Sequence, residues 1–390
     1  MTAAGLRIVR IANFVTPVSG GLRTALQHLG AGYLAAGHEP VLIHPGPTRT
    51  DREDTAQGRV ITLPGRTVPG TGGYRVLLDR QALADLLAEL RPDRLEVSDR
   101  TTLRWTGGWA RRHGVPAAMV SHESLDGLLR TWGLSESLAR RAADRLNAGT
   151  ARDYHSVICT TDWAAAEFHR IGARNLAYAP LGVDLSRRHP RHRNAAARAH
   201  YASPDEILLV LCSRLSPEKR PGRALDALAE LRRRGIPAVL AVAGDGPLRR
   251  RLAARIEQEG LPAHLLGHLA SVDGLSTLLA SADAVIAPGP IETFGLAALE
   301  ALACGTPVAV SASSALPQII GDPAIGAGAV APDTGPGFAD AVQRILDRPE
   351  TVRRAAARSR AESFGWDHAV ARFLAAHRAA PAPVPQGAAP

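Results

Sequence analysis

Lysine is almost missing from this chain. Of 46 Lys+Arg residues only one, Lys219, is a lysine; every other fixed positive charge is an arginine. A composition so skewed points to a site at Lys219 that needs a compact, rotatable ammonium rather than a wide planar fork. Cysteine is scarce too. Cys159, Cys212 and Cys304 stand singly in apolar or helical stretches, which excludes a disulfide framework or a zinc cluster and suits a reducing compartment. Aromatic residues make up 4% and the arginines are dispersed. With no helix-turn-helix, zinc-finger or stacking motif beside them, nucleic acid is not an expected partner, although the net charge of +9 favours an anionic one. No run approaches the roughly 18 apolar residues of a membrane span. Arg7 and Arg10 interrupt the apolar start, so no signal-peptide core is expected and a cytoplasmic protein is. Also absent are GxxxxGK[ST], HExxH, GxSxG and Asp-x-Asp motifs, which removes the usual nucleotide hydrolases, zinc proteases and serine hydrolases and leaves no motif for a catalytic metal.

What is present is an alternation of short apolar runs with helix-length segments along nearly all 390 residues, the pattern of parallel α/β sheets. Strands are expected over Leu6–Phe14, Pro40–His44, Arg59–Leu63, Arg94–Val97, Ala117–Ser121 and Ser156–Thr160. The segment 185–204, rich in arginine, histidine and alanine, lacks a strand pattern and reads as a connection. A second series follows, with strands over 206–212, 238–243, 264–266, 284–287 and 307–310 and helices over 221–234, 247–258, 273–280 and 295–303. This gives two doubly wound domains, 1–184 and 205–365, with 380–390, composed of Ala, Pro, Gly and Gln, expected to be disordered.

The residues with chemical potential lie after strands, where open α/β sheets bind ligands. Arg214 and Lys219 follow the strand ending at Cys212 and suit an anionic ligand, with a diphosphate as first choice. Glu292, Thr293, Phe294, Gly295 and Leu296 follow the strand ending at Ala287 and open a helix whose first amides form an anion site. Glu300 is the only charge between Thr293 and Thr306, so it needs a partner; that partner is either a ligand or an arginine. Gly20 and Gly21 stand between a strand and a helix, suiting close backbone approach to phosphate or a plain turn. His122, beside Glu123, follows the strand ending at Ser121. Gly244-Asp245-Gly246 imitates a dinucleotide fingerprint but lacks its third glycine, and Pro247 stands in its place.

Taken in order, the Gly20-Gly21 loop, the His122-Glu123 pair, Ala179–Asp184, Ser213–Lys219, Gly244–Pro247, the stretch 267–282 and the E-x7-E spacing from Glu292 to Glu300 resemble the family 4 retaining glycosyltransferases of the GT-B fold. That family includes bacterial mannosyltransferases and relatives of sucrose synthase, and the resemblance covers about residues 6–378. It implies two Rossmann-like domains facing across a cleft, with a final helix near 366–378 returning to the first. It implies a nucleotide-diphosphate sugar as co-substrate, with GDP-mannose as first choice and a UDP-sugar second, no further cofactor and no metal. Arg214 and Lys219 would neutralise the leaving diphosphate, and Glu292 would hold sugar hydroxyls. Glu300 would hold the ribose, His122 would contact the sugar, and Gly267, His268 and Leu269 would flank the base. The hydroxyl acceptor would be a small molecule or lipid-linked. A basic, leucine-bearing stretch, Leu128–Leu146 with Arg130, Arg140, Arg141 and Arg145, suits peripheral contact with the inner face of the cell membrane; an ordinary helix packing its leucines inward is the alternative. A GT-B epimerase or phosphorylase, or a silent sugar-nucleotide-binding protein, are the rival functions. The chain departs from the family pattern at Ser213, where glycine is usual, and over Ser314–Gln318, which replaces a Gly-Gly-x-Pro-Glu pattern.

Overall fold

The computed structural model describes residues 5–15, 20–68, 73–131, 133–269 and 271–379; the C-terminal tail from Ala380 lies outside them. The chain divides into two compact units, one of Met1–Asp126, Leu134–Pro180 and Trp366–Pro390, the other of Gly127–Gly133 and Leu181–Gly365.

The first unit contains β1 (Arg7–Ile11), β2 (Glu39–Gly46), β3 (Thr50–Arg52), β4 (Arg59–Pro64) and the short pair β5 (Arg66–Thr67) and β6 (Arg75–Val76). It continues with β7 (Arg94–Val97), β8 (Ala117–Ser121), β9 (Ser156–Cys159) and β10 (Leu176–Tyr178). Its described residues form an eight-stranded sheet in the order β10-β9-β8-β7-β1-β2-β4-β3, parallel except where β3 runs against β4. Every residue of β8 is buried, as a parallel sheet covered by helices on both faces requires. The first strand stops at Ile11 rather than Phe14. Asn13 turns its side chain to Asp99 (2.8 Å) and Thr102 (2.7 Å), and Phe14 adopts φ 61°, which ends the extended run. The helix Trp366–Arg378 packs on this unit: Trp366 stacks on His28 at 4.6 Å, and His377 meets the buried Glu96 at 3.0 Å.

The second unit contains β11 (Ile207–Cys212), β12 (Ala238–Ala243), β13 (Ala263–Gly267), β14 (Ala284–Ala287), β15 (Val308–Ser311) and β16 (Gly328–Ala331). Its sheet runs β13-β12-β11-β14-β15-β16, and all pairs are parallel. Numbered within the unit this is 3-2-1-4-5-6, the doubly wound order whose direction reverses between the first and fourth strands. Leu225, Leu228 and Leu231 of helix Gly222–Arg233 and Phe338, Val342 and Ile345 of helix Gly335–Leu346 fill one core beneath the sheet. Segment 185–204 is no bare connection. It forms a 3-10 turn, Pro190–His192, and a short helix, Ala195–Ala199, capped by Asn194. The Asn194 amide donates to Ser281 Oγ at 3.0 Å, fastening the segment to helix Val272–Ser281.

Candidate active site

All strands of the second sheet being parallel, the loops after them share one edge. The loop after β11 carries Arg214 and Lys219, and the loop after β14 carries Glu292–Leu296. Their strands are neighbours, and they flank the point where strand order reverses, the position at which open α/β sheets generally bind ligands. Here Lys219 Nζ meets Glu292 Oε1 at 2.5 Å. Gly289 makes room for the pair: a Cβ there would stand 3.3 Å from Glu292 Cγ and 3.6 Å from Lys219 Cα. The Glu292 carbonyl accepts a hydrogen bond from the Ala315 amide (2.8 Å). Thus the Ser314–Gln318 stretch, one of the two departures from the family pattern, supports the Glu292 loop through its backbone.

Gly295 takes φ 77°, and any Cβ would stand 2.3 Å from Leu316 Cδ2, so only glycine fits this entry to helix Leu296–Ala303. The first amides of that helix have no intrahelical acceptor. Phe294 is 3% exposed and packs edge-on against Phe364 at 6.0 Å; its ring is structural, and what it can offer a ligand is its amide. Thr293 is also buried.

Glu300 lies one helix turn deeper and is held by Arg188, whose Nη2 stands 3.3 Å from Glu300 Oε1. The arginine expected as one of two partners for this carboxylate is therefore present. Burial pushes the Glu300 carboxyl up, and Arg188 draws it back down. Arg188 was missed in the sequence. The unmatched charge of Glu300 on an apolar helix signalled that a partner must exist, but not which of 45 arginines (46 Lys+Arg less one Lys) it was.

The remaining loops at this edge interlock. Leu215 donates to the Asp245 carbonyl (3.0 Å), and Gly244 donates to the Gly267 carbonyl (2.8 Å). A Cβ on Gly244 would sit 1.9 Å from the Ser213 carbonyl oxygen, which explains the glycines of Gly244–Gly246 as packing requirements. The structure thereby supports rejecting them as a dinucleotide fingerprint. His268 is exposed and Leu269 half-buried beside Gly267.

In the first unit, Gly20 and Gly21 open helix Gly21–Ala35 after β1. Nothing lies within 4 Å of a Cβ built on Gly20, so packing does not demand glycine there. His122 follows β8 at the same edge of that sheet, with Nε2 3.2 Å from Ser98 Oγ. Burial, aided by Arg100, pushes His122 down to about 4, so its imidazole is neutral at physiological pH. Burial likewise raises the neighbouring Glu123 to about 7. This loop is tied down by the fully buried Arg100, which donates to Asn147 (2.9 Å), to Glu167 (3.1 Å) and to the Glu123 carbonyl. Glu167 in turn accepts from Ser124 (2.9 Å) and the Asp126 amide (3.1 Å). Among the described residues no cluster of three or more His, Cys, Asp or Glu could hold a metal, and no helix is long and apolar enough to cross a membrane.

Two doubly wound sheets, one with a lysine–glutamate pair at its switch point and an E-x7-E helix behind it, are the arrangement expected of the GT-B fold. The comparisons with known proteins agree. A family model described as "Glycosyl transferases group 1" matches residues 193–362 and one described as "Glycosyl transferase 4-like domain" matches 20–182. A curated relative from Mycobacterium tuberculosis, GDP-mannose-dependent alpha-(1-6)-phosphatidylinositol dimannoside mannosyltransferase, is 51% identical over 371 residues, covering 95% of each chain. Among solved structures, sucrose-phosphate synthase from Thermosynechococcus elongatus has a TM-score of 0.75 at 21% identity, covering 96% of this chain and 98% of its own. HepE from Anabaena in complex with UDP-glucose has 0.73 at 17%, covering 95% and 99%. The chain belongs to the family 4 glycosyltransferases of the GT-B fold, and it is an enzyme of nucleotide-sugar glycosyl transfer.

Proposed function

We propose that this enzyme transfers mannose from GDP-mannose to a hydroxyl of a lipid-linked polyol, with retention at the anomeric carbon and without a metal. The observation that carries the reading is the Lys219–Glu292 contact of 2.5 Å at the switch point. It places a cation suited to a diphosphate against a carboxylate suited to sugar hydroxyls. The 51% identity to a GDP-mannose-dependent enzyme acting on a phosphatidylinositol dimannoside supports both the donor and the acceptor class.

In this reading Arg214, Lys219 and the amides of Gly295 and Leu296 take the diphosphate, with Gly20-Gly21 adding backbone donors. Glu292 holds the sugar hydroxyls, Glu300 the ribose, and Gly267–Leu269 flank the base. The bond from the anomeric carbon to the phosphate oxygen breaks, the acceptor oxygen bonds to the same face, and the acceptor proton passes to the leaving phosphate. Fixed donors are worth most where charge grows on the leaving oxygen. His122, held neutral by burial, is a hydrogen-bonding contact to the sugar in this reading. One experiment tests the whole: GDP-mannose and a phosphatidylinositol mannoside are incubated with the enzyme in excess EDTA, and the product linkage is read by NMR. An α-linked product formed at undiminished rate is expected. A β-linked product would make His122 a candidate base, and loss of activity restored by magnesium would overturn metal independence.

The first unit supplies a surface for a lipid acceptor. Helix Glu136–Asp153 buries Ala139, Ala143, Asn147, Gly149 and Thr150 and turns Leu138 outward, 54% exposed, with Leu134 just before it 37% exposed. Arg140, Arg141 and Arg145 are exposed alongside. Two outward leucines among arginines favour an anionic interface over an inward-packed helix. At low salt the enzyme should float with phosphatidylinositol-containing vesicles and not with neutral ones, and Leu138→Glu should abolish flotation. Equal binding to both vesicles would leave a water-soluble acceptor as the better reading.

A further inference from the structure

Glu300 is a buried carboxylate on an otherwise apolar helix, and the way it is held bears on how the site reads its donor. Arg188 is 8% exposed and reaches it from outside the sheet. Its Nη1 donates to Ser276 Oγ (2.7 Å) and to the Val272 carbonyl (2.8 Å), which fixes the guanidinium plane, while Nη2 engages one carboxylate oxygen of Glu300. The backbone of Arg188 is fixed as well. Its amide donates to the Asp184 carbonyl (2.8 Å), and its carbonyl accepts from Arg358 (2.9 Å). Such a fork, locked at both ends, orients a carboxylate in a way a flexible ammonium cannot. It binds only one oxygen and leaves Oε2 for a ligand.

We propose that Arg188 is a positioning residue of the donor site, which aims the Glu300 carboxylate at the ribose hydroxyls and keeps it ionised. The inference rests on the reading that Glu300 holds the ribose. The other titratable groups facing Glu300 are the thiols of Cys212 and Cys304, both pushed up to about 12 by burial and so neutral across the working range. From helix Glu350–Glu362, Arg354 and Arg358 are bonded to the carbonyls of Ala282 and Ala303 at the helix ends. Arg188 is therefore the cation in contact with this carboxylate among the described residues. Removing it raises the carboxyl pKa further, so ionised Glu300 is lost as pH falls and returns as pH rises.

The test compares binding of GDP with that of 2′,3′-dideoxy-GDP. The wild type should prefer GDP by about tenfold or more, the usual worth of hydroxyl bonds to a charged acceptor. Arg188→Gln should cut that preference to about threefold or less at pH 7 and regain part of it at pH 9, since a buried carboxyl that has lost its cation is pushed further up and ionises only as pH rises. Glu300→Gln should abolish the preference at every pH. If Glu300→Gln leaves the preference intact, the ribose reading itself fails. If Glu300→Gln abolishes it while Arg188→Gln retains it, or if the Arg188→Gln loss does not respond to pH, the ribose reading stands and Arg188 is merely structural. Should Arg188→Gln not fold, Arg188→Lys decides: it keeps the charge without the fork, an intermediate preference is expected, and an undiminished one overturns the proposal.

Discussion

Lys219→Ala and Arg214→Ala should each lower turnover on the order of 100-fold or more, the loss typical of removing one preorganised transition-state donor, with the fold intact. Both residues stand in a loop whose backbone is held independently of their side chains. The Leu215 amide donates to Asp245, the Lys219 amide to Ser216, and Leu248 to Leu215. Truncation therefore removes charge without releasing the loop. Lys219→Arg should be impaired as well. Lys219 Nζ lies 2.5 Å from Glu292, and a planar guanidinium fork does not reproduce the single short contact that a compact ammonium makes there. Steady-state kinetics with circular dichroism on the three variants checks this. Turnover within a few-fold of wild type for both alanine variants would remove the diphosphate clamp from the mechanism.

Arg100→Ala should destabilise the first unit by about 3–5 kcal/mol, the cost of leaving one member of a buried ion pair uncompensated. Arg100 is fully buried and Glu167 is 5% exposed, and the pair is 3.1 Å apart. Without the guanidinium, Glu167 keeps its bonds from Ser124, Asn147 and the Asp126 amide but loses its countercharge. The Glu123 carbonyl loses a donor, and the loop carrying His122 loosens. Denaturant unfolding would show the lowered midpoint, and faster hydrogen exchange around residues 122–126 would locate the change. Glu167→Gln should cost less than the Arg100 truncation, because no anion is left behind. An Arg100→Ala midpoint unchanged from wild type would show that this network does not support the loop.

The contrast between these two sites shows what kind of information the sequence carries. The alternation of apolar runs and helix-length segments is local, and it gave strands 94–97, 117–121, 238–243 and 284–287 with their observed bounds. Short elements without such a signal, β3 and the β5–β6 pair among them, were not legible. Nor were β10 and β16 at the outer ends of their sheets: an interior strand as short as 284–287 carries its own apolar run, whereas an edge strand is defined by its one neighbour. The uniqueness of Lys219 and the lone charge of Glu300 singled out both on composition alone as residues that need a partner, and the structure gives them Glu292 and Arg188.

The sequence by itself determined the fold class and the family, since periodicity, punctuation by glycine and proline, and ordered motifs are properties of consecutive residues. Only the tertiary structure decided who touches whom. Lys219 and Glu292 meet across 73 residues because β11 lies beside β14, a neighbourhood set by crossover helices packing on both faces of the sheet. Arg188 and Glu300 meet across 112 residues because segment 185–204 folds onto helix Val272–Ser281. It also decided that Leu138 points outward, since the helix meets its unit through Ala139, Ala143, Asn147, Gly149 and Thr150, small residues that allow close approach and an asparagine bonded to Arg100 and Glu167. Chemically identical guanidinium groups differ only in where packing puts them, and that is a property of the folded chain.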